Sequence, residues 1–307
     1  MANFLKITFF LLIIIGGGIW FLSTGPSLFS STPAEKISVT PAAKTQISSP
    51  VVSGSNFQGY NTSPSSGQAA QTQEITDSSI PAGYTRAQLS PYFQKIRISS
   101  AYSSSFSGYP SQIQIYSSLS KDDKVNISGW KIKSNNGKEI VIPQAVNLYD
   151  LSGFLYDSNV VISASANVSI YGNTSVINRN LRLNKCIGYL ENDYEFIPQL
   201  PRNCPQVSRS SVQYLSGACQ SYVLSLGSCQ LPDVSFYNSL PGNDDGNACR
   251  VFLSNINYNS CIKDHRNDSD FYLNDWRIWV GKNILDPQHD AVKLFDNNGL
   301  LVDQYVY

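Results

Sequence analysis

All six cysteines of this chain lie between Cys186 and Cys261. No two of them form a C-x-x-C pair and the chain has only two histidines, so the pattern is not that of a zinc site. An even number of cysteines in an exported chain predicts disulfide bonds, which persist in oxidising compartments. We therefore expect bridges that staple a small subdomain. The full set is Cys186, Cys204, Cys219, Cys229, Cys249 and Cys261.

An apolar run interrupted near its start only by Lys6 opens the chain and extends to Leu22. A helix of about 20 apolar residues spans a bilayer, so residues 4–22 predict a transmembrane signal-anchor. Lys6 is the only early positive side chain, which places the N-terminus in the cytoplasm and the C-terminal domain outside the cell. A cleaved signal peptide is the alternative, although residues 22–25 match a cleavage site poorly.

Residues 23–80 are rich in Ser, Thr, Pro, Gly, Gln and Ala and sparse in large apolar residues. Such a stretch cannot bury enough apolar surface to offset the entropy of ordering. It predicts a disordered linker with an r.m.s. span of roughly 40 Å. The whole chain has a formal net charge of zero and 14% charged residues, which argues against steering of nucleic acid.

Period-two alternation begins near Phe93, and short alternating segments separated by turn signals predict a mainly β, two-sheet sandwich. Asn135-Asn136-Gly137 predicts a hairpin with a type I′ turn, and Asp296–Gly299 predicts a second turn. The predicted strands are Lys95–Ile98, Gln112–Tyr116, Val125–Ile127, Lys131–Lys133, Glu139–Ile142, two within Val160–Tyr171, Arg182–Lys185, Trp276–Val280, Ala291–Phe295 and Leu300–Tyr307.

The order of these segments resembles the lamin tail domain family, in its exported bacterial type. The resemblance is carried by Val125–Trp130, the hairpin return Ile140–Pro143, Val160–Ile170 and the closing segment Asp290–Tyr305. It implies an immunoglobulin-like β-sandwich over 93–307, a core position for Trp130, and turn positions for Asp296 and Gly299 before Asp303. It implies a binding or structural module and brings no catalytic, cofactor or metal residues.

Residues 186–270 depart from the family pattern as a cysteine-rich insert before the last strands. Two segments have apolar residues at i, i+3, i+4 and i+7, which predicts helices at 219–226 and 249–256. Two antiparallel helices would pair Cys219 with Cys261 and Cys229 with Cys249, and would leave Cys186 for Cys204 across a proline-rich loop. Because six cysteines allow 15 connectivities, this pairing is a hypothesis that depends on both helices.

No nucleotide-binding, hydrolase or zinc-protease motif occurs in the chain. The polar run Lys263–Asp270 has the oxygen ligands of a calcium loop but lacks the glycine and distal glutamate of an EF-hand, so we expect a solvated loop, with a calcium loop as the alternative. Tyrosines give contact area at low entropic cost. The candidate contact tyrosines are Tyr237, Tyr258, Tyr272, Tyr305 and Tyr307, each with half-buried packing as the alternative role.

These features predict a membrane-anchored, surface-exposed, non-catalytic module for adhesion or envelope assembly. The expected partners are the membrane, through the single N-terminal helix, and an envelope protein or ligand. The insert is the expected specificity element, because it is added to a common scaffold. An accessory domain of an extracellular enzyme system and a surface nucleic-acid-binding protein are the alternatives.

Overall fold

The computed structural model describes residues 77–104, 109–153 and 155–307. All of them belong to one of the two units into which the chain divides, Ala70–Tyr307. The predicted anchor at 4–22 and the predicted linker up to residue 76 lie outside the described residues. Of the linker only 77–80 is described, and Asp77–Ser79 is a 3-10 helix there. No helix within the described ranges is long and apolar enough to cross a membrane.

The described chain is mainly β, with four short α-helices between β10 and β11. The strands are β1 Ile96–Tyr102, β2 Gln112–Ser117, β3 Val125–Asn126, β4 Lys131–Lys133, β5 Glu139–Val141, β6 Ala145–Val146, β7 Asp157–Ser158, β8 Val161–Ile162, β9 Asn167–Tyr171, β10 Leu181–Asn184, β11 Tyr272–Trp279, β12 Ala291–Phe295 and β13 Leu301–Val306. The helices are α1 Gly217–Ser225, α2 Val234–Ser239, α3 Asp244–Ser254 and α4 Tyr258–His265. Further 3-10 helices are Arg86–Gln88, Ile187–Asn192 and Arg209–Val212.

Two large sheets form the body. One has seven strands in the order β1-β2-β9-β11-β10-β6-β7, and the other has four in the order β13-β12-β4-β5. Most neighbours are antiparallel, but β11 runs parallel to β9 and β10 runs parallel to β6. A two-stranded ribbon joins β3 to β8. Every segment predicted as a strand contains one, whereas the two-residue strands β6 and β7 lacked an alternating pattern long enough to detect.

Both large sheets contribute to one apolar core, and together they are called the sheet pair below. Ile113, Val168 and Ile278 of the seven-stranded sheet share this core with Ile132 and Leu294 of the four-stranded sheet. Because side chains alternate along a strand, each of these strands buries every second residue and leaves its other face outside. The burial of these side chains therefore follows directly from the period-two pattern of the sequence.

Trp130 lies in this core, as expected, with 2% of its surface exposed. Its ring centroid lies 5.8 Å from that of Tyr92, so the side chain packs against an aromatic neighbour. The Gly129 that precedes it has a φ of +88°, and a Cβ added there would meet the side-chain oxygen of Asn297 at 2.7 Å. The Gly-Trp pair thus serves packing: the glycine admits the approach of the last hairpin, and the tryptophan fills the core.

The prediction of a type I′ turn at Asn135-Asn136-Gly137 is wrong, although the hairpin itself is confirmed. Only Gly137 has a positive φ, at +78°, whereas a type I′ turn needs positive φ at both central residues. Asn136 instead uses its side-chain oxygen to accept the Lys138 N–H at 3.0 Å. That contact favours a type I turn followed by a glycine bulge, which Asn-Gly also permits.

The edges of the two sheets meet where β1 lies against β13. The backbone N–H of Ile98 donates to Oδ2 of Asp303 at 2.6 Å, next to a bulge in β1 between Ile98 and Ser100. Burial raises the pKa of Asp303 to about 6, although this hydrogen bond opposes the rise. Asp303, recognised in the sequence only as the end of a degenerate motif, therefore joins the two sheets.

A second apolar core covers part of the outer face of the seven-stranded sheet. Tyr171, Leu181 and Trp279 point from that face into a cluster with the segment from Cys186 to Phe271. Phe196 packs on Trp279 with ring centroids 5.9 Å apart. The predicted insert is therefore a lid of helices and loops on one sheet, and the seven-stranded sheet carries a core on each of its faces.

Candidate functional site

The six cysteines are all oxidised, but each of the three predicted pairings is wrong. Cys186 is bonded to Cys261, with Cα atoms 5.9 Å apart. Cys204 is bonded to Cys229 at 5.1 Å, and Cys219 to Cys249 at 6.0 Å. The insert is thus closed at its ends by the bridge of largest sequence separation and stapled inside by two shorter ones.

The position of the helix ends explains the correction. Both predicted helices exist, as α1 and α3, but α3 stops at Ser254 and Cys261 lies on the separate helix α4. Asn257 begins that helix, since its side chain accepts the Ser260 N–H at 2.9 Å. Cys219 and Cys249 therefore face each other directly across α1 and α3, and Cys261 is free to reach Cys186.

Cys229 lies in a turn beyond α1 rather than on a helix. Its φ of +59° is in the left-handed region, which costs an ordinary residue about 1–2 kcal/mol. The N–H of Cys204 lies 3.2 Å from its sulfur, and Asn192 donates to its carbonyl at 2.9 Å. This turn draws the proline-rich loop around Cys204 onto the second core, which a helix continuing past Leu226 could not do.

A cleft of about 430 Å³ opens on the insert, and it is called the insert cleft below. Its floor is apolar, and its rim is formed by amide, hydroxyl, carboxylate and imidazole side chains. Floor residues are Tyr189, Val207, Phe252, Ile256 and Cys261, and rim residues are Gln206, Ser208, Ser211, Asn255, Asn257, Asp264 and His265. An apolar concavity with a few convergent polar groups is the usual form of a ligand site.

Several rim groups already have structural roles. Ser208 caps the 3-10 helix Arg209–Val212, Asn257 caps α4, and Asn255 donates to the Val251 carbonyl at 2.9 Å. These bonds hold the rim in place with little freedom to move. Gln206 and the carboxylate of Asp264 make no side-chain hydrogen bond to any residue that the structure describes, so their polar atoms are not engaged within this part of the chain.

The acidic run predicted as a possible calcium loop is arranged differently. Lys185 Nζ lies 3.0 Å from Oδ2 of Asp268 and 2.6 Å from Oδ1 of Asp270. His265 Nδ1 lies 2.9 Å from the same Asp268 oxygen. The hydrogen bond from His265, and then that from Lys185, holds the pKa of Asp268 below its usual range. These carboxylates are engaged by a lysine and a histidine, and the described residues contain no group of three metal-ligating side chains.

The candidate contact tyrosines divide between packing and exposure. Tyr258 is buried, and its hydroxyl donates to the Tyr149 carbonyl at 2.9 Å; burial raises its pKa well above the usual value. Tyr307 donates to the Asp286 carbonyl at 2.7 Å. Tyr237 is partly buried against the second core, Tyr305 packs on the shared core, and Tyr272 is 39% exposed beneath the guanidinium of Arg182.

The insert cleft joins residues that the sequence presented as unrelated. In the sequence, Asp264 and His265 belong to a polar run and Ile256 to the end of a predicted helix. No pattern in the sequence distinguishes Tyr189 or Val207. One local pattern does indicate the helix boundary beside the cleft. In the run Asn255-Ile256-Asn257, two asparagines flank one apolar residue, which favours the end of one helix followed by the N-cap of the next.

Comparison with protein-family models, with curated proteins and with solved structures finds no match for this chain. The site is an apolar cleft with a polar rim, in an insert that three disulfides crosslink internally and that packs on the seven-stranded sheet through the second core.

Proposed function

We propose that this protein is a membrane-anchored, exported and non-catalytic binding module, and that the insert cleft is its ligand site. The observation that carries the proposal is the apolar floor of the cleft inside the disulfide-bonded insert. Three disulfides support an oxidising, extracytoplasmic location, because such bonds form and persist there. The apolar run at residues 4–22 supports attachment to the membrane.

The ligand that fits this site is an extended polypeptide segment of an envelope protein that places one large apolar side chain in the cleft. A volume of about 430 Å³ admits one such side chain with its backbone neighbours. Gln206 and the Asp264 carboxylate would then meet backbone N–H groups of the segment. The engaged rim residues would lose little entropy on binding, which favours affinity.

For the scaffold we propose a lamin-tail-like, immunoglobulin-like sandwich. It is supported by the buried Trp130 after Gly129, by the β4–β5 hairpin and by the closing β12–β13 hairpin with its Asp296 and Gly299 turn. The seven-stranded sheet, in which β9 and β11 and also β10 and β6 run parallel, has more strands than such a sandwich requires. The additional strands β6 and β7 lie beyond β10, on the side that the insert covers.

Site-specific photo-crosslinking in the producing cell tests the ligand site. A photoreactive residue in place of Val207, at the cleft floor, should form an adduct with an envelope protein. The same residue in place of Val251, which is 64% exposed on α3 and outside the cleft, is the matched control. An adduct from 207 that disappears with Phe252→Glu supports the proposal, and equal adducts from both positions contradict it.

Topology needs its own test, since a cleft can exist in any compartment. Alkylation of intact cells with a membrane-impermeant maleimide, before and after reduction, reports where the six cysteines lie. We expect labelling only after external reduction. Free thiols in a soluble cytosolic fraction would contradict the exported location.

A further inference from the structure

The outer face of the seven-stranded sheet is covered by the insert only in part. At one end of β9 and β11, Tyr171 and Trp279 lie beneath Phe196. Further along the same strands the side chains on this face are polar and are exposed or half-buried, so the described part of the insert does not enclose them. This area, the polar face, consists of Gln114, Tyr116, Asn167, Ser169, Asp275 and Arg277.

The strand register brings these residues into two rows. Gln114 of β2 pairs with Ser169 of β9, which pairs with Arg277 of β11. Two residues along, Tyr116 pairs with Asn167, which pairs with Asp275. Since strands lie about 4.8 Å apart and alternate residues about 6.7 Å apart, these rows and the β1 residues beside them cover roughly 14 by 7 Å. That area matches two or three sugar rings in a row.

Arg277 is the unusual member of this face. It is mostly buried, and its guanidinium lies 5.4 Å from the ring centroid of Tyr171. Among the residues that the structure describes it has no carboxylate and no hydrogen-bond acceptor, although Asp275 stands two positions away on the same face. Burial lowers the pKa of Arg277 from its ordinary value. A desolvated cation with an aromatic ring but no carboxylate beside it is costly, and a planar carboxylate is the group that best satisfies it.

The other members supply donors and acceptors for hydroxyl groups. Gln114 accepts the Ser100 hydroxyl at 3.0 Å with its side-chain oxygen, which leaves its amide N–H groups directed elsewhere. The side chains of Tyr116, Asn167 and Asp275 make no hydrogen bond with any described residue. Tyr116 also offers an aromatic ring. Rigid planar polar groups beside one ring favour hydroxyl-rich rings over an apolar partner.

We propose that the polar face binds a short stretch of an acidic polysaccharide, with a uronic acid carboxylate on Arg277 and sugar hydroxyls on Gln114, Asn167 and Asp275. Tyr116 packs against one ring of the chain. Arg97, exposed on β1 opposite Tyr116, adds a second positive charge at the border of the face. Arg97 also lies near Asp303, whose pKa it lowers, so the positive charge without a carboxylate is that of Arg277, and it complements the carboxylate of a uronic acid. This surface is separate from the insert cleft and does not depend on it.

Affinity electrophoresis and calorimetry of the purified full-length chain test this proposal. The probe is polygalacturonate, and its fully methyl-esterified form is the control ligand with the same backbone and no charge. We expect saturable binding of the acid and at least tenfold weaker binding of the ester. Arg277→Gln should weaken binding of the acid at least tenfold, and Tyr116→Ala severalfold.

Two controls separate binding from folding. Arg179→Gln removes an exposed arginine, 3.7 Å from Asp157, elsewhere on the molecule and should leave binding unchanged. Arg277→Gln should keep or raise the unfolding temperature, because it removes an unpaired and partly desolvated charge. A purely structural arginine would show the opposite change.

Three results would overturn the proposal. They are the absence of polygalacturonate binding, equal binding of acid and ester, and equal binding of double-stranded DNA with the same response to Arg277→Gln. The last result would identify a general polyanion surface rather than a glycan site.

Discussion

The two apolar cores of this protein are built on opposite faces of one sheet and are stabilised in different ways. The core of the sheet pair is enclosed by strands whose backbone hydrogen bonds run between segments far apart in sequence. The second core is enclosed by helices of 6 to 11 residues and is held by all three disulfides. Helices this short are marginal alone, so crosslinks take the role that strand pairing has in the sheet pair.

The shared strand β11 shows what this difference means. It sends Trp276 and Ile278 into the sheet-pair core and Trp279 into the second core. The core of the insert is therefore not complete by itself, because some of its apolar side chains belong to strands of the sheet. We infer that the insert can open without the sheet pair, whereas the sheet pair cannot unfold without releasing the insert.

The largest expected effect is the loss of the bridge that closes the insert. Cys186→Ala with Cys261→Ala removes a crosslink over 75 residues, which constrains the unfolded chain by about 4.5 kcal/mol. Urea unfolding should show the insert opening first. Trypsin should then cut between residues 186 and 261 while tryptophan fluorescence from the sheet pair is retained.

The Cys204–Cys229 bridge sharpens this comparison. Its loop of 25 residues predicts a smaller loss, about 3.5 kcal/mol, for the double alanine variant. Because Cys229 has a positive φ, Cys204→Ala with Cys229→Gly should recover about 1 kcal/mol of that loss. If both bridges could be removed without cost, the insert would be stabilised by its apolar core alone.

The next largest loss of stability is expected when a buried side chain of the sheet pair is truncated. Ile132→Ala empties a fully buried site between Ile140 and Leu294 and should cost about 3–4 kcal/mol. Leu253→Ala in the second core should cost about 2–3 kcal/mol, because the Cys219–Cys249 bridge still holds its two helices together. Val141→Ala, on the exposed face of β5, is the control and should change the free energy of unfolding by less than about 0.5 kcal/mol. Chemical denaturation measures all three.

The same contrast explains what the sequence could predict. Strand positions follow from alternation within one short segment, as at Gln112–Ser117, where the pattern depends on the immediate neighbours alone. The two helices α1 and α3 follow from local periodicity for the same reason. Nothing local, however, specifies which strand lies beside which, and the parallel pairing of β9 with β11 was not predictable from either segment.

The prediction of the disulfide pairs was wrong because the pairs depend on where each helix begins and ends. Local periodicity did not predict that a new helix, α4, begins after Asn257 and carries Cys261, and all six cysteines have partners other than those predicted. The insert cleft was missed for a similar reason. Its floor joins Tyr189, Val207 and Ile256, which lie on three separate segments and carry no common motif.

The stability of the sheet pair and that of the insert should depend on pH in opposite directions. The larger change is expected in the sheet pair, at Asp303. Its pKa of about 6 in the folded protein is above the ordinary value near 3.9. Its contribution to stability is therefore full below pH 4 and is lost as the pH rises through 6, by about 3 kcal/mol in total. Asp303→Asn keeps an acceptor for the Ile98 N–H and should abolish this slope.

Unfolding in urea at pH 4, 5, 6 and 7 measures the effect of Asp303. Asp122→Asn, an exposed carboxylate on a loop, serves as the matched control and should leave the slope unchanged. A slope that persists in Asp303→Asn would assign the pH dependence to another group and remove Asp303 as the joint between β1 and β13.

The smallest effect is expected in the insert, at Lys185. Its hydrogen bonds lower the pKa of Asp270, as they help to do for Asp268, so this contribution is present near neutral pH and is lost as the pH falls through the acid range. Because the two carboxylates are exposed, Lys185→Met should shift the unfolding temperature by no more than about 2 °C at pH 7. The variant also frees both carboxylates from the lysine. If calcium then raised the unfolding temperature of Lys185→Met but not of the wild type, the lysine would be what keeps this loop from binding a cation.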